Sequence, residues 1–358
     1  MKTTLIFSPI RAAILLAAAV GLASGCTREP LAPGDGAVVQ VHAAIDANAE
    51  STKAPISGTA FTDKTSYGIF VCEHGSTTVA HKANSWNLRA YYTDADSWRF
   101  SYVGTLSSGA LSSSSFADLV LMANEEETTA DLYAYAPWTQ NAYAKTPAAI
   151  PFSLAGQEDL MYAQQNLANE NAGLDPAASA PLHAAFSFKH AYALLCFRFK
   201  LKNQGNGTAY LLSNIKVTKD PGATTAHLYT SGSFNALTGT FNLDECVDGS
   251  TFNVNYNTQS WNYTYISSAT DYTVFSLMLV PTAVADDELT FTFTVNDKVL
   301  QPFVLKADQV LHGDGVTAGF QPGYRYVFNF TLDNFLYFDG FNVESWSATD
   351  ETLGEMEI

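Results

Sequence analysis

Cys26 is the residue whose neighbours in the sequence best define a chemical reaction. It ends the run Leu22-Ala-Ser-Gly-Cys26, which follows a basic start and the apolar stretch 12–20. This order is typical of an export signal, and a small-residue box that ends in Cys is the pattern a lipoprotein signal peptidase reads. We predict that residues 1–25 are removed and that the Cys26 thiol is acylated, which would anchor the chain to a membrane. Simple cleavage near Ala23 is the alternative.

Three aromatic residues are candidates for binding rather than for catalysis. Trp261, Tyr263 and Tyr265 occupy alternate positions, so in a strand they share one face. Flat rings on an exposed face can stack on sugars. Aromatic residues are also favoured on ordinary sheet faces. The sequence therefore leaves two interpretations open: these residues form a glycan-binding platform, or they belong to an ordinary face of a sheet.

Motifs for catalysis are missing from the sequence. It contains no Gly-x-Ser-x-Gly, no His-Glu-x-x-His and no Gly-rich phosphate loop. The seven histidines are scattered singly, and Cys72, Cys196 and Cys246 allow at most one disulfide, or three buried thiols. We expect no enzymatic activity, no catalytic residue, no cofactor and no metal.

The composition narrows the choice of partners. The formal net charge is −17, and it becomes −19 once residues 1–25, which carry two basic residues, are gone. An acidic surface repels phosphate backbones, so nucleic acid is not an expected partner. No second apolar segment approaches the roughly 20 residues that span a bilayer. Membrane attachment would therefore depend on the lipid at Cys26.

Most of the remaining pattern is that of short β-strands. Val38 to Ile45 alternates, with Val39, Val41, Ala43 and Ile45 on one face. Further strands are predicted at 67–72, 86–92, 98–103, 130–136, 149–154, 186–201, 209–218, 251–255, 273–280, 289–295, 298–305, 324–332 and 341–346.

Turns, one helix and a domain boundary complete the predicted organisation. Asn296-Asp297 and Asp339-Gly340 are predicted tight turns, and Ser115 to Ala123 has helical spacing. The irregular, proline-containing segment 169–181 places a domain boundary near residue 180. We predict an all-β protein with two sandwiches in tandem and a short crossing helix in the first. The segments are the signal at 1–25, a tether and first strand at 26–53, and sandwiches at 54–180 and 181–358.

Several stretches together resemble the fimbrillins, the lipoprotein-derived type V pilins and their Mfa-like relatives. The resemblance runs from the Cys26 box to near the C-terminus, and the order and spacing of the stretches carry it. They are Thr65-Ser-Tyr-Gly-Ile-Phe-Val71, Leu132-Tyr-Ala-Tyr-Ala-Pro137, Asp159-Leu-Met-Tyr-Ala163, Phe188-Lys-His-Ala-Tyr-Ala-Leu194, Leu279-Val-Pro281, Gly323-Tyr-Arg-Tyr-Val-Phe-Asn-Phe330 and a late Trp346.

The resemblance implies a fold and a maturation route. The two sandwiches would be transthyretin-like and without catalytic function, and the precursor would travel to the outer membrane as a lipoprotein. A trypsin-like protease would then cut after a basic residue and remove the first strand, Val38 to Ile45. A strand from another fimbrial subunit would fill the groove. Lys53 stands where the family usually has Arg.

The C-terminal residues of the given sequence refine the expected role. Residues 347–358 hold few apolar residues among acidic ones, which favours a tip or accessory subunit over a polymerising stalk. We therefore expect a structural and adhesive subunit of a surface-exposed fimbrium at the outer membrane. The competing hypothesis is a permanently anchored lipoprotein that binds a host or bacterial surface glycan or protein. An enzymatic role would require a site assembled from distant loops.

Overall fold

The computed structural model describes residues 37–45, 66–76, 87–93, 97–101, 119–121, 129–142, 145–165, 182–203, 209–256, 264–311 and 318–346. The elements are strands and short 3₁₀ turns. The strands are β1 (Ala37–Ile45), β2 (Ser66–Glu73), β3 (Leu88–Thr93), β4 (Ser97–Ser101), β5 (Leu119–Leu121), β6 (Ala130–Ala136), β7 (Ile150–Ser153), β8 (Met161–Gln164), β9 (Leu182–His190), β10 (Ala193–Leu201), β11 (Tyr210–Lys219), β12 (Tyr229–Asn235), β13 (Thr240–Phe241), β14 (Val247–Asp248), β15 (Thr251–Asn255), β16 (Tyr265–Ile266), β17 (Thr273–Leu279), β18 (Thr282–Ala283), β19 (Leu289–Val295), β20 (Lys298–Val299), β21 (Phe303–Val304), β22 (Gly319–Phe320), β23 (Tyr324–Leu332) and β24 (Leu336–Ser345). The 3₁₀ turns are Gln140–Ala142, Leu154–Gly156, Leu243–Glu245 and Ala307–Val310.

The chain is all-β, and the predicted crossing helix at Ser115 to Ala123 is wrong where it can be checked. Leu119–Leu121 is strand β5, which pairs antiparallel with the start of β1. The other residues of the predicted helix lie outside the described part. A short segment with helical spacing has little helical stability of its own. Pairing with β1 therefore decides its conformation.

The strands form one large sheet and several smaller ones. The eight-stranded sheet has the order β4-β3-β2-β6-β8-β9-β1-β5, and a four-stranded sheet has the order β17-β10-β23-β24. A third sheet contains β15, β11, β19 and β20, with β16 and β21 attached; β7, β12, β13 and β14 form a fourth. Among the described strands, only β1–β9 and β10–β23 are parallel pairs. The arrangement as two tandem transthyretin-like domains stays a prediction.

The predicted long strand at 186–201 is wrong, because the chain changes sheets within it. Leu182–His190 belongs to the eight-stranded sheet, whereas Ala193–Leu201 belongs to the four-stranded sheet. Between them, the carbonyl of Leu160 accepts from Ala191 N–H, and the carbonyl of Tyr192 accepts from Gly323 N–H. The domain boundary predicted near residue 180 therefore lies before β9, which still belongs to the eight-stranded sheet.

Two hydrophobic clusters flank the centre of the first sheet. β6 is buried along its whole length, and β2 along all but its two ends. Ile69 and Leu132 face the smaller cluster, which also holds side chains of β1 and β9. Phe70 and Tyr133 face the larger cluster, which continues through the C-terminal sheets. The first strand therefore contributes to the smaller cluster alone.

Of the two predicted tight turns, one is confirmed and one is wrong. Asn296 and Asp297 have φ values of 46° and 61° and join β19 to β20, as a two-residue hairpin requires. Asp339-Gly340 lies inside the continuous strand β24 instead. The register shifts there, so that Asp339 is an extra residue opposite β23, and Gly340 has a φ of 143°. This is a β-bulge. Glycine is favoured at such bulges, as it is in tight turns.

Candidate functional site: the first strand and its neighbours

Strand β1 is held by one long partner and one short one. Val39 to Ile45 pairs in parallel with Leu182 to Phe188 of β9, over seven residue pairs. On the other edge, β5 pairs with Ala37 to Val39 only. From Gln40 onward, β9 is the only described strand that pairs with β1. Among the residues that the structure describes, the strand is therefore bound mainly along one edge.

The side chains of β1 alternate as predicted. Val39, Val41 and Ile45 are 3%, 8% and 2% exposed, and Ala43 is partly buried against the same cluster. His42 and Ala44 are exposed. The face of β1 that holds Val39, Val41, Ala43 and Ile45 is therefore its inward face, and the removal of the strand stays a prediction. Its removal would uncover a row of apolar positions beside β9.

Aromatic rings form the floor beneath β1. The ring of Tyr67 lies 5.2 Å from that of Phe188 and 6.1 Å from that of Phe186, both in edge-on geometry. Phe186 and Phe188 alternate along β9 and are 2% and 0% exposed. Burial raises the pKa of the Tyr67 hydroxyl well above its usual value, so Tyr67 stays neutral. The surface that β1 covers is apolar and uncharged.

The other predicted site residues are placed only in part. Cys26, Lys53, Trp261 and Tyr263 lie outside the described residues. Tyr265 is 47% exposed on the two-residue strand β16, which pairs with β11. The glycan platform therefore stays a prediction, with one of its three members on the surface.

The described cysteines are thiols rather than a disulfide. Cys72 and Cys196 are buried, and Cys246 is partly exposed. Burial and the nearby carboxylates of Asp131 and Glu73 raise the pKa of the Cys72 thiol to about 12. A thiol with so high a pKa is a poor nucleophile. Within the described ranges, no group of three or more His, Cys, Asp or Glu residues could hold a metal ion.

One contact on the outer face of this site has no counterpart in the sequence pattern. The imidazole rings of His42 on β1 and His183 on β9 stack with their centroids 6.0 Å apart and their planes 16° from parallel. The two residues are 141 positions apart in the sequence. Only the parallel pairing of β1 with β9 brings them together.

Comparison with known proteins identifies the family of this chain. Residues 52–346 match the family described as fimbrillin-like. The chain belongs to the fimbrillin-like family. The match begins after β1 and ends at Trp346. No curated protein is significantly similar to this fimbrillin-like chain.

Solved structures share the fold of the fimbrillin-like chain at low identity. A protein from Bacteroides ovatus assigned to cell adhesion is 16% identical, with a TM-score of 0.53; the alignment covers 86% of this chain and 97% of the other. For a protein from Bacteroides uniformis with the same assignment, the identity is 15% and the TM-score 0.50, over 87% and 98% of the two chains. Such likeness concerns the fold. In the described part, no helix is long and apolar enough to cross a membrane.

Proposed function

We propose that this chain is a structural and adhesive subunit of a cell-surface fimbrium, made as a lipoprotein precursor and assembled by strand exchange. Export and acylation at Cys26 would bring it to the outer membrane. Proteolysis would then remove β1, and a strand from another fimbrial subunit would take its place. The observation that carries the proposal is the binding of β1, a terminal strand with a buried face, to a single long partner strand.

The energetics of β1 support a replacement rather than a plain loss. Burial of a Val or Ile side chain contributes about 1.5–3 kcal/mol, so Val39, Val41 and Ile45 together contribute roughly 5–9 kcal/mol as an upper estimate. A whole domain is stable by about 5–15 kcal/mol. A chain that lost β1 would therefore expose both apolar surface and the backbone edge of β9. Another extended segment can satisfy both.

Lys53 is the best-placed basic residue for this processing. It lies among residues 46–65, which join β1 to β2. Cleavage after Lys64 would leave a single residue before β2, and cleavage after Arg28 would leave β1 attached. The family match from residue 52 supports a functional unit that begins close to Lys53.

N-terminal sequencing after treatment with a trypsin-like protease tests the processing step. We expect a fragment that begins at Ala54 and retains the native fold, with the cleaved segment that contains β1 bound to it non-covalently until mild denaturation releases it. The variant Lys53→Ala should resist this cut, whereas the matched control Lys64→Ala should be cut as the wild type is. A mature surface form that begins anywhere other than Ala54 would contradict this processing site.

We also propose a tip or accessory position, because residues 347–358 are acidic and offer little apolar alternation for a donor strand. We expect the processed protein alone to remain monomeric or to form short oligomers, measured by electron microscopy and light scattering. Long homopolymers would contradict the tip or accessory position and favour a stalk subunit.

The alternative, a permanently anchored lipoprotein that binds glycans, is supported by the exposure of Tyr265. Mass spectrometry of the surface form separates the two functions. An acylated Cys26 on most molecules favours the anchored binder, and loss of the N-terminal segment favours the fimbrial subunit. Glycan binding that falls in Tyr265→Ala, but not in the control Tyr210→Ala, would support the platform.

A further inference from the structure

The stacked pair of His42 and His183 differs from the other described histidines. Nδ1 of His74, His190 and His227 lies 2.9, 3.0 and 2.8 Å from a carboxylate oxygen of Asp131, Asp159 and Asp248, respectively. Neither His42 nor His183 has a carboxylate partner among the described residues. Each instead has the other as its neighbour, across the boundary between β1 and β9.

The register of the two strands fixes the pair in place. His42 lies opposite Ala185 and His183 lies opposite Gln40, so the two histidines are diagonal neighbours. Both side chains are exposed, and Ala44, Ala185 and Ser187 beside them are also exposed. The backbone is therefore fixed, while the rings are free to turn. The small neighbours leave room for water molecules around a bound ion.

The distance between the rings suits a shared metal ion. Imidazole is a good ligand for Zn²⁺, Cu²⁺ and Ni²⁺. With metal–nitrogen bonds of about 2.0–2.1 Å, two imidazoles on one tetrahedral ion have their centroids roughly 5 Å apart. The observed separation is 6.0 Å. Because the nitrogen lone pairs lie in the ring planes, which are 16° from parallel, both exposed side chains would rotate out of the stack to converge on the ion, and the same rotation closes the difference of about 1 Å.

We propose that His42 and His183 form a binding site for one late first-row divalent metal ion, with water as the remaining ligands. Each strand supplies one ligand, so the ion links β1 to β9. The strongly negative net charge of the chain favours the approach of a cation.

The site gives the ion a role in the retention of the first strand, a consequence that rests on the proposed function. After cleavage beyond β1, only non-covalent contacts hold the strand in the sheet. An ion bound by both strands would add to these contacts. It would slow the departure of β1, and its removal would speed strand exchange.

A calorimetric titration of the unprocessed chain with Ni²⁺ at pH 7.5 tests the site. We expect one high-affinity ion per chain and a rise in the melting temperature. His42→Ala and His183→Ala should each weaken binding by about a hundredfold, because the second ligand binds intramolecularly. The control His227→Ala should bind as the wild type does. Equal binding by wild type and His42→Ala or His183→Ala overturns the proposal.

A second measurement separates this inference from the proposed function. The chain is cut after Lys53, and the release of the β1 peptide is followed by size-exclusion chromatography with Ni²⁺ or with a chelator. Slower release in Ni²⁺, abolished by His183→Ala, supports the metal link. Release that Ni²⁺ leaves unchanged overturns the link. Failure of the protease to cut at Lys53 contradicts the proposed processing, while the calorimetric result still decides the metal site.

Discussion

The two parallel strand pairs of this protein are similar in length and different in construction. β1 and β9 share seven residue pairs, and β10 and β23 share eight. β10 is flanked on its other edge by the seven-residue strand β17, whereas the only described strand on the other edge of β1 is the three-residue β5.

The side chains differ as well. In β10 and β23, Phe197 stacks with Phe328 at 5.6 Å and Phe199 with Phe330 at 5.3 Å. The inward side chains of β1 are Val, Val, Ala and Ile. A strand with small side chains and one long partner loses fewer van der Waals contacts when it leaves its sheet. A strand in an aromatic core would lose more. This is the difference that the proposed strand exchange requires between a strand that leaves and a strand that stays.

The largest expected effect comes from a charge placed under β1. Val41→Asp would bury a carboxylate in an apolar cluster, so we expect β1 to leave the sheet and the chain to lose roughly 5 kcal/mol or more of stability. Limited proteolysis should then digest the first strand from a folded remainder. His42→Asp places the same charge on the exposed face and should leave β1 in place. Equal protease sensitivity in the two variants would contradict the assigned faces.

Truncation in the aromatic core should have the next largest effect. Phe197→Ala is expected to cost about 3–5 kcal/mol in denaturant unfolding, because its ring contacts Phe291, Phe293 and Phe328. Val41→Ala removes two methyl groups and should cost about 1–2 kcal/mol. Similar losses in the two variants would mean that side-chain size does not distinguish the two parallel pairs.

The β-bulge beside β23 should give a smaller effect. Gly340 has a φ of 143°, a value that side-chain-bearing residues rarely adopt, although no atom crowds the position. Gly340→Ala is therefore expected to cost about 1–2 kcal/mol from backbone strain alone. Asn342→Ala, on the same exposed strand, is the control and should be neutral in thermal unfolding. A neutral Gly340→Ala would show that the bulge relaxes without glycine.

The smallest expected effect is a pH dependence in the C-terminal half. Burial opposes ionisation of Asp248, but hydrogen bonds from Lys219, His227 and the Leu228 N–H outweigh it and lower its pKa to about 2. Ionised Asp248 therefore stabilises the fold above about pH 4, the unfolded value, and this contribution is lost as the pH falls towards 2.

Because Asp248 is partly exposed, the contribution should be about 1 kcal/mol or less. Stability curves of Asp248→Asn and the wild type should converge near pH 2 and separate above pH 4. Curves that stay parallel over this range would exclude a stabilising role for the carboxylate.

Strands whose hydrophobic pattern is visible within one short segment were predictable from the sequence. The strands at 130–136, 251–255, 289–295 and 324–332 have the predicted bounds, because alternation or a continuous apolar run is visible within each segment. β12 was missed because Gly232 and its serine neighbours interrupt any alternation. The division of 186–201 into two strands was missed because both parts alternate alike. Only the contacts of Ala191 and Tyr192 with distant residues break the strand.

Of the candidate site, only the part that β1 itself contributes was predictable from the sequence. Alternation gives the inward face of Val39, Val41, Ala43 and Ile45 directly. It gives neither the partner strand nor the parallel direction, since both depend on residues more than 130 positions away. The His42–His183 contact is a product of that long-range register. No local pattern could have revealed it.

The separation of β1 from its partner also bears on the order in which the chain can fold during export. In the proposed export, residues 37–45 would cross the inner membrane before β9, which follows only after some 140 further residues. Until then β1 has no long edge to join, and closing so large a loop is slow. On that route β1 would be among the last strands of its sheet to dock, and it would stay accessible to chaperones through most of translocation.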